Sequence, residues 1–184
     1  HIPMLDPADS AEALKFAREA YELSERFDVP IIIRLSVRIS HTKTPVEVGE
    51  RLSYVQKGYE SAPSKWVMMP AYAKPRRLVQ LERSDELAKW AGECPYNRVE
   101  MRDASMGVIC AGAAYQHVRE ALPDASVLKR GVAWPLSEEQ IRDFASSVDK
   151  LYVVEEASDY LTNAVRACGV EVSDFPRELP RYGE

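Results

Sequence analysis

Met106-Gly-Val-Ile-Cys-Ala-Gly-Ala-Ala-Tyr115 reads as a strand, a glycine turn and the start of a helix. Met106 to Ala111 is an almost unbroken apolar run, the pattern of a strand covered on both faces. Ala113 to Leu122 then takes helical spacing. The same alternation continues downstream. Ala125 to Lys129 is a strand, and Ser137 to Val148 a helix whose Ser137 and Gln140 have capping-box spacing. Lys150 to Glu155 is a strand, Ser158 to Cys168 a helix, and Gly169 stands where a C′ glycine belongs. Val170 to Val172 reads as a last short strand, and Arg98 to Met101 as one before the series. Strand–helix alternation at this spacing predicts an α/β fold: three layers, α/β/α, around a mostly parallel sheet.

Upstream the pattern changes. Residues 76–92 form a highly charged helix, with Leu78, Leu81, the aliphatic part of Lys89 and Trp90 as its expected buried stripe. Trp66 to Pro70 reads as a short extended segment. Residues 9–27 make an amphipathic helix, opened by Asp9 and Glu12 in a loose capping box and ended by Asp28-Val29-Pro30. Ile31-Ile-Ile-Arg-Leu-Ser-Val37 has the β-branched, nearly continuous character of a strand in a covered parallel sheet. One helix and one strand cannot cover a sheet face alone, so either later strands join this unit or its partners lie outside the chain, and the second is expected. The polar, mixed-charge stretch between the two patterned regions reads as a connector. The expected organisation is therefore an N-terminal αβ unit over 1–42, a linker over 43–65 and an α/β domain over 66–184.

Composition narrows the function. The chain has 184 residues, 46% hydrophobic and 29% charged, with a formal net charge of −5. An acidic balance argues against broad nucleic-acid binding, which needs a basic surface. Apolar runs of about five residues are far below a membrane span. Cys94, Cys110 and Cys168 are widely spaced and odd in number, which suggests neither a disulfide framework nor a metal site, and points to a reducing, cytoplasmic setting. His1-Ile-Pro-Met-Leu5 carries no signal-peptide pattern and reads as the interior of a longer polypeptide or as a tag remnant.

Several residues invite a functional reading. Gly112 opens a turn that can present N–H groups to an anion, although the dinucleotide and P-loop fingerprints are lacking, and a tight ligand-free turn is the simpler expectation. Glu155 and Glu156 end a strand, but adjacent strand residues point to opposite faces, so a cap or a contact is expected rather than a joint site. Arg38, Ser40 and His41, just past a strand's carboxyl end, offer a guanidinium, a hydroxyl and an imidazole suited to a carboxylate or phosphate. Lys74, Arg76 and Arg77 place positive charge at a helix start, against the macrodipole. His117 reads as a structural helix residue. There is no Gly-Asp-Gly, no C-x-x-C and no G-x-S-x-G. No catalytic and no metal-ligating residue is therefore assigned.

Longer stretches resemble a known family. Pro3-Met-Leu-Asp-Pro-Ala-Asp-Ser10, Tyr21-Glu-Leu-Ser-Glu-Arg-Phe27, Val29-Pro30 and Arg38-Ile-Ser-His41 resemble the end of the first domain of indolepyruvate ferredoxin oxidoreductase large (alpha) subunits. Trp66-Val-Met-Met-Pro-Ala71, Arg76-Arg77, Pro95-Tyr-Asn-Arg-Val-Glu100, Gly112-Ala-Ala-Tyr115, Ser126-Val-Leu-Lys129, Pro135-Leu136 and Val153-Val-Glu-Glu156 continue the likeness in order. The resemblance implies a partial pyrimidine-binding domain over 1–42 and a transketolase C-terminal-like domain over 66–184. For the parent enzyme it implies thiamine diphosphate, magnesium and 4Fe-4S clusters, oxidative decarboxylation of an aryl 2-oxoacid, and coenzyme A as acyl acceptor. It also implies ferredoxin and a smaller beta subunit as partners, besides the rest of the large subunit. It leaves this chain an inactive piece with no bound cofactor, in which Arg38, Ser40 and His41 are the residues nearest the thiamine domain. The alternatives are the C-terminal-like domain of another thiamine diphosphate enzyme and a non-catalytic α/β interaction domain.

Overall fold

Alternate residues of one strand divide the C-terminal part of the molecule into layers. In the computed structural model, which describes residues 2–51, 53, 58–156 and 158–175, the strand β4 (Asp103–Ala111) is central. Val108 and Cys110 face helix α5 (Ala114–Ala121), with Ala114 and Val118 packed on them. Ile109 faces the other way, onto Ile141 and Phe144 of α6 (Glu138–Ser146) and Leu161 and Val165 of α7 (Tyr160–Ala167). The sheet between these helices has the order β3-β5-β4-β7, with β3 (Arg98–Glu100), β5 (Ala125–Arg130) and β7 (Leu151–Val154). β4, β5 and β7 run parallel, and β3 is antiparallel to β5. The expected alternation, the three layers and the helix starts are thus present. Ser137 accepts from the Gln140 N–H at 3.4 Å, and Gly169, at φ +77°, follows α7 as its C′ residue.

The N-terminal part builds a second, mixed sheet of order β2-β1-β6. β1 (Met4–Leu5) runs parallel to β2 (Ile32–Ile33) and antiparallel to β6 (Val132–Trp134). A strand from the later part of the chain therefore joins the first αβ unit, against the expectation that its partners lie outside. Helix α1 (Ser10–Phe27) starts as predicted: Asp9 Oδ1 accepts from Glu12 N–H at 2.8 Å, while Glu12 Oε2 accepts from Ala8 N–H at 2.9 Å. Phe16, Ala20, Leu23 and Phe27 of α1 share one core with Leu5, Leu87, Ala91, Tyr96 and Val132.

Four local expectations are corrected. The strand expected over 31–37 holds only two ladder residues, because β2 is an edge strand and Ser36 caps the short helix α2 (Val37–His41) by accepting from Ile39 N–H. The extended segment expected over 66–70 is shorter than that: Val67 and Met69 have extended backbone, but Pro63, favoured at a first helical position, opens α3 (Pro63–Trp66), and Pro70 opens α4 (Pro70–Glu93). The buried residues of α4 are Leu87 and Ala91, with Trp90 partly covered, whereas Leu78, Leu81 and Lys89 are exposed. Residues 170–172 form no strand, although Ser173 N–H donates to Leu151 O at 2.8 Å. Between 43 and 62 the described residues carry no helix or strand. No helix among the described residues is long and apolar enough to cross a membrane.

Candidate functional site

Charged side chains gather where the parallel strands end at their carboxyl side, the usual place for ligands in open α/β sheets. The residue nearest the Gly112 turn is Asp6, carried there by β1. Gly112 has φ +57°, and a Cβ built on it would lie 2.6 Å from Asp6 Oδ1. Only glycine suits both the left-handed backbone and that approach. A carboxylate thus stands where an anion would have to approach the turn, which fits the ligand-free reading of Gly112. Asp6 N–H donates to Gly131 O at 2.9 Å, and Arg34 Nη2 donates to Asp6 Oδ2 at 2.6 Å. Burial raises the Asp6 pKa above its ordinary 3.8, a shift that Arg34 and Lys129 oppose.

Lys129 and Arg130 end β5 with no exposed surface. Consecutive strand residues point to opposite faces, and these two leave the sheet in opposite directions. Lys129 Nζ reaches α1, donating to Glu12 Oε2 at 2.5 Å and lying 5.5 Å from the Phe16 ring centre. Burial pulls its pKa below the ordinary lysine value, and Glu12 opposes that shift. The chain of charges continues through Arg98 (3.7 Å from Glu12) to Glu100, which also meets Arg119 and accepts from Tyr115 Oη at 2.7 Å. Arg130 turns toward α6. It donates to Gln140 Oε1, Val132 O and Pro135 O, while its Nε has no hydrogen-bond partner. Burial brings its pKa down to about 10.

The residues singled out in the sequence are placed apart. Arg38, Ser40 and His41 lie on the exposed side of α2. Arg38 Nε stands 3.9 Å from Glu156 Oε1, whereas Ser40 Oγ donates to Ser36 O within its own helix. Glu155 and Glu156 diverge as expected: Glu155 accepts from the N–H groups of Leu161 and Thr162 and from the Thr162 hydroxyl, capping α7. Arg76 faces Asp28 at 4.0 Å, beside Lys65 at 2.6 Å and Arg83 at 3.2 Å. His117 is exposed on α5. The three cysteines sit in three different core clusters, and burial pushes the Cys110 thiol up to about 12.

Asp6, Glu12, Lys129 and Arg130 had no functional signal in the sequence. The one available hint was two cations at the end of an apolar strand, since buried charges demand partners. Chemically, the pair Glu12–Lys129 binds the N-terminal unit to the four-stranded sheet, whereas Asp6–Arg34 ties together two segments within that unit. They do not converge on a common reacting atom. The chain's residues also do not fit a magnesium–diphosphate group: it has no Gly-Asp-Gly, and among the described residues no three His, Cys, Asp or Glu side chains are grouped to hold a metal.

No protein-family model matches the chain. Similar curated proteins do exist. The chain is 32% identical over 173 residues to the indolepyruvate oxidoreductase subunit IorA of Methanothermobacter marburgensis, which covers 90% of the chain and 28% of that subunit. It is 31% identical to IorA of Archaeoglobus fulgidus, over 92% of the chain and 28% of the relative. It is 28% identical to IorA of Pyrococcus abyssi, over 100% and 31% respectively. The chain thus spans less than a third of the length of these relatives. Among solved structures, a 2-oxoglutarate:ferredoxin oxidoreductase from Magnetococcus marinus, with 2-oxoglutarate, coenzyme A and succinyl-CoA bound, shares the fold. The TM-score is 0.63 at 14% identity, over 92% of this chain and 37% of that one. In sequence the chain is similar to one segment of the indolepyruvate oxidoreductase IorA subunits, and its fold is shared with the 2-oxoglutarate:ferredoxin oxidoreductase.

Proposed function

We propose that this chain is a framework segment of a 2-oxoacid:ferredoxin oxidoreductase acting on indolepyruvate or a related aryl pyruvate. Residues 66–184 are its transketolase C-terminal-like domain, residues 43–65 a linker, and residues 1–42 the last αβ unit of a pyrimidine-binding domain. The parent enzyme uses thiamine diphosphate, magnesium and 4Fe-4S clusters, transfers the acyl group to coenzyme A and passes electrons to ferredoxin. Its partners are the rest of the large subunit and a smaller beta subunit, in the cytoplasm. The observation that carries this reading is the 32% identity to an IorA subunit across 90% of the chain. The site geometry supports a framework role, because the buried charges are engaged in holding elements together. The exposed edge of α2, with Arg38, Ser40 and His41, is the side proposed to face the thiamine domain.

A segment exchange tests this. The corresponding segment of a complete IorA subunit is replaced by this chain, and indolepyruvate-dependent ferredoxin reduction is assayed with coenzyme A and the partner subunit. The chimera should keep activity within about tenfold of the parent, a loss of about 1.4 kcal/mol or less. A folded, assembled chimera with no activity would refute the assignment. In the active chimera, Arg38→Ala should raise the thiamine diphosphate concentration needed for half-maximal rate. An unchanged requirement would remove α2 from the cofactor's surroundings.

A further inference from the structure

We infer that the groove over β3, between α6 and the C-terminal end of α4, is a binding site for a primary amine with an apolar body. The inference does not rest on the enzymatic reading. Val99 is paired with Leu128 across the β3–β5 ladder, so both side chains stand on the same face of the sheet. Leu128 lies in the core under α6 and α7 with no exposed surface, whereas Val99 is 47% exposed. The helical layer on this face therefore stops one strand short of the sheet. Met101, two residues on, is 49% exposed, and Ser147 Oγ, just past α6, donates to its Sδ at 3.8 Å. Val99, Met101 and Phe144 line a groove of about 620 Å³, a usual size for a small-molecule site.

The charges along the groove select the ligand. Glu93 comes from α4, Glu139 and Asp143 stand one turn apart on α6, and all three are exposed. Like charges four residues apart weaken a helix, so this placement costs stability. None of the three carboxylates is held in an ion pair among the described residues. Lys89 is the single cation among the described lining residues. With three negative charges to one positive, the groove favours a cation and disfavours a carboxylate or phosphate. An ammonium has three donors and no acceptor, which suits a rim made of acceptors. Its apolar body would cover Val99 and Met101, the surface that the helices leave bare. The groove is bounded on both sides by elements of this chain, so a small ligand needs no second polypeptide to complete the site.

The test titrates the purified chain, isotope-labelled at its methionine methyls, with phenethylamine, a primary amine whose apolar body is one ring. The Met101 methyl resonance should shift and saturate, with a dissociation constant on the order of a millimolar, while that of Met106 stays in place. Phenylpropionate carries the same ring with the opposite charge, and should bind about tenfold more weakly. Glu139→Gln and Asp143→Asn should each weaken the amine by about threefold. Both residues are exposed, so far-UV circular dichroism should be unchanged in the two variants. Val99→Ser should also weaken the amine by about threefold, through the lost apolar floor. Equal affinity for the amine and the acid would overturn the inference. So would a Met101 signal that does not saturate, or charge variants that bind the amine as the original chain does.

Discussion

Lys129 and Glu12 belong to elements far apart in sequence, yet they meet at 2.5 Å where the first helix crosses the central sheet. Removing one partner of a buried pair leaves a desolvated charge, so Glu12→Gln should cost about 3 kcal/mol of folding stability. Lys129→Met should cost less, because Glu12 keeps the Ala8 N–H and Arg98. The double variant should be more stable than Glu12→Gln alone, as urea unfolding of the three variants would show. Asp6 makes a second prediction, through pH. Its pKa is raised in the folded state by burial, so its stabilising contribution is complete below 3.8 and is lost as pH rises through the folded value. Asp6→Asn removes that loss. Its stability relative to the original chain should therefore climb as pH increases through that window, and a constant difference would contradict the assignment. At this scale little of the site was legible beforehand. Caps such as Asp9, Ser137 and Gly169 announce themselves by local spacing, because their partners are three or four residues away. Asp6 and Lys129 find partners 28 and 117 residues away, which spacing cannot reveal.

Elements whose whole pattern fits within one window were recognisable. Strands β3, β4, β5 and β7 and helices α5, α6 and α7 each carry their own periodicity, and each lies within a few residues of its expected place. Elements that depend on a neighbour were not. β1 and β6 have two and three residues, too short for any period, and exist because they pair with each other. β2 carries a strand-like sequence through Val37, yet at a sheet edge the ladder stops and Ser36 starts a helix. The helix α4 misled in a different way, since leucines on its solvent side imitate a core stripe. The junction after α1 depends on Asp28, which takes φ 50° and faces Lys65, Arg83 and Arg76. Asp28→Gly should remove the ion pairs but keep the left-handed turn at no steric cost. Asp28→Ala removes both, and should be less stable than the glycine variant by about 1 kcal/mol in thermal unfolding. Equal stabilities would mean that the backbone conformation contributes nothing there.

The molecule as a whole is tied together across the proposed linker. Residues of α1 and β1 share a core with α4, Tyr96 and β6, so the first forty residues do not have a hydrophobic centre of their own. Unfolding should accordingly be one transition, with far-UV circular dichroism and the fluorescence of Trp90 and Trp134 coinciding in denaturant. Separate midpoints would show that the N-terminal unit melts independently. The α/β class, the layering and the family resemblance were all visible in the sequence, because many weak local patterns agreed in order. The joining of the two sheets was not, since it rests on short pairings and on charges whose partners are remote. We propose this chain as framework, with the cofactor-holding groups in other parts of a larger polypeptide. Calorimetric titration of the purified chain with thiamine diphosphate and magnesium tests it most directly. No saturable heat is expected, whereas a dissociation constant of about a micromolar, some −8 kcal/mol of binding, would overturn the framework reading.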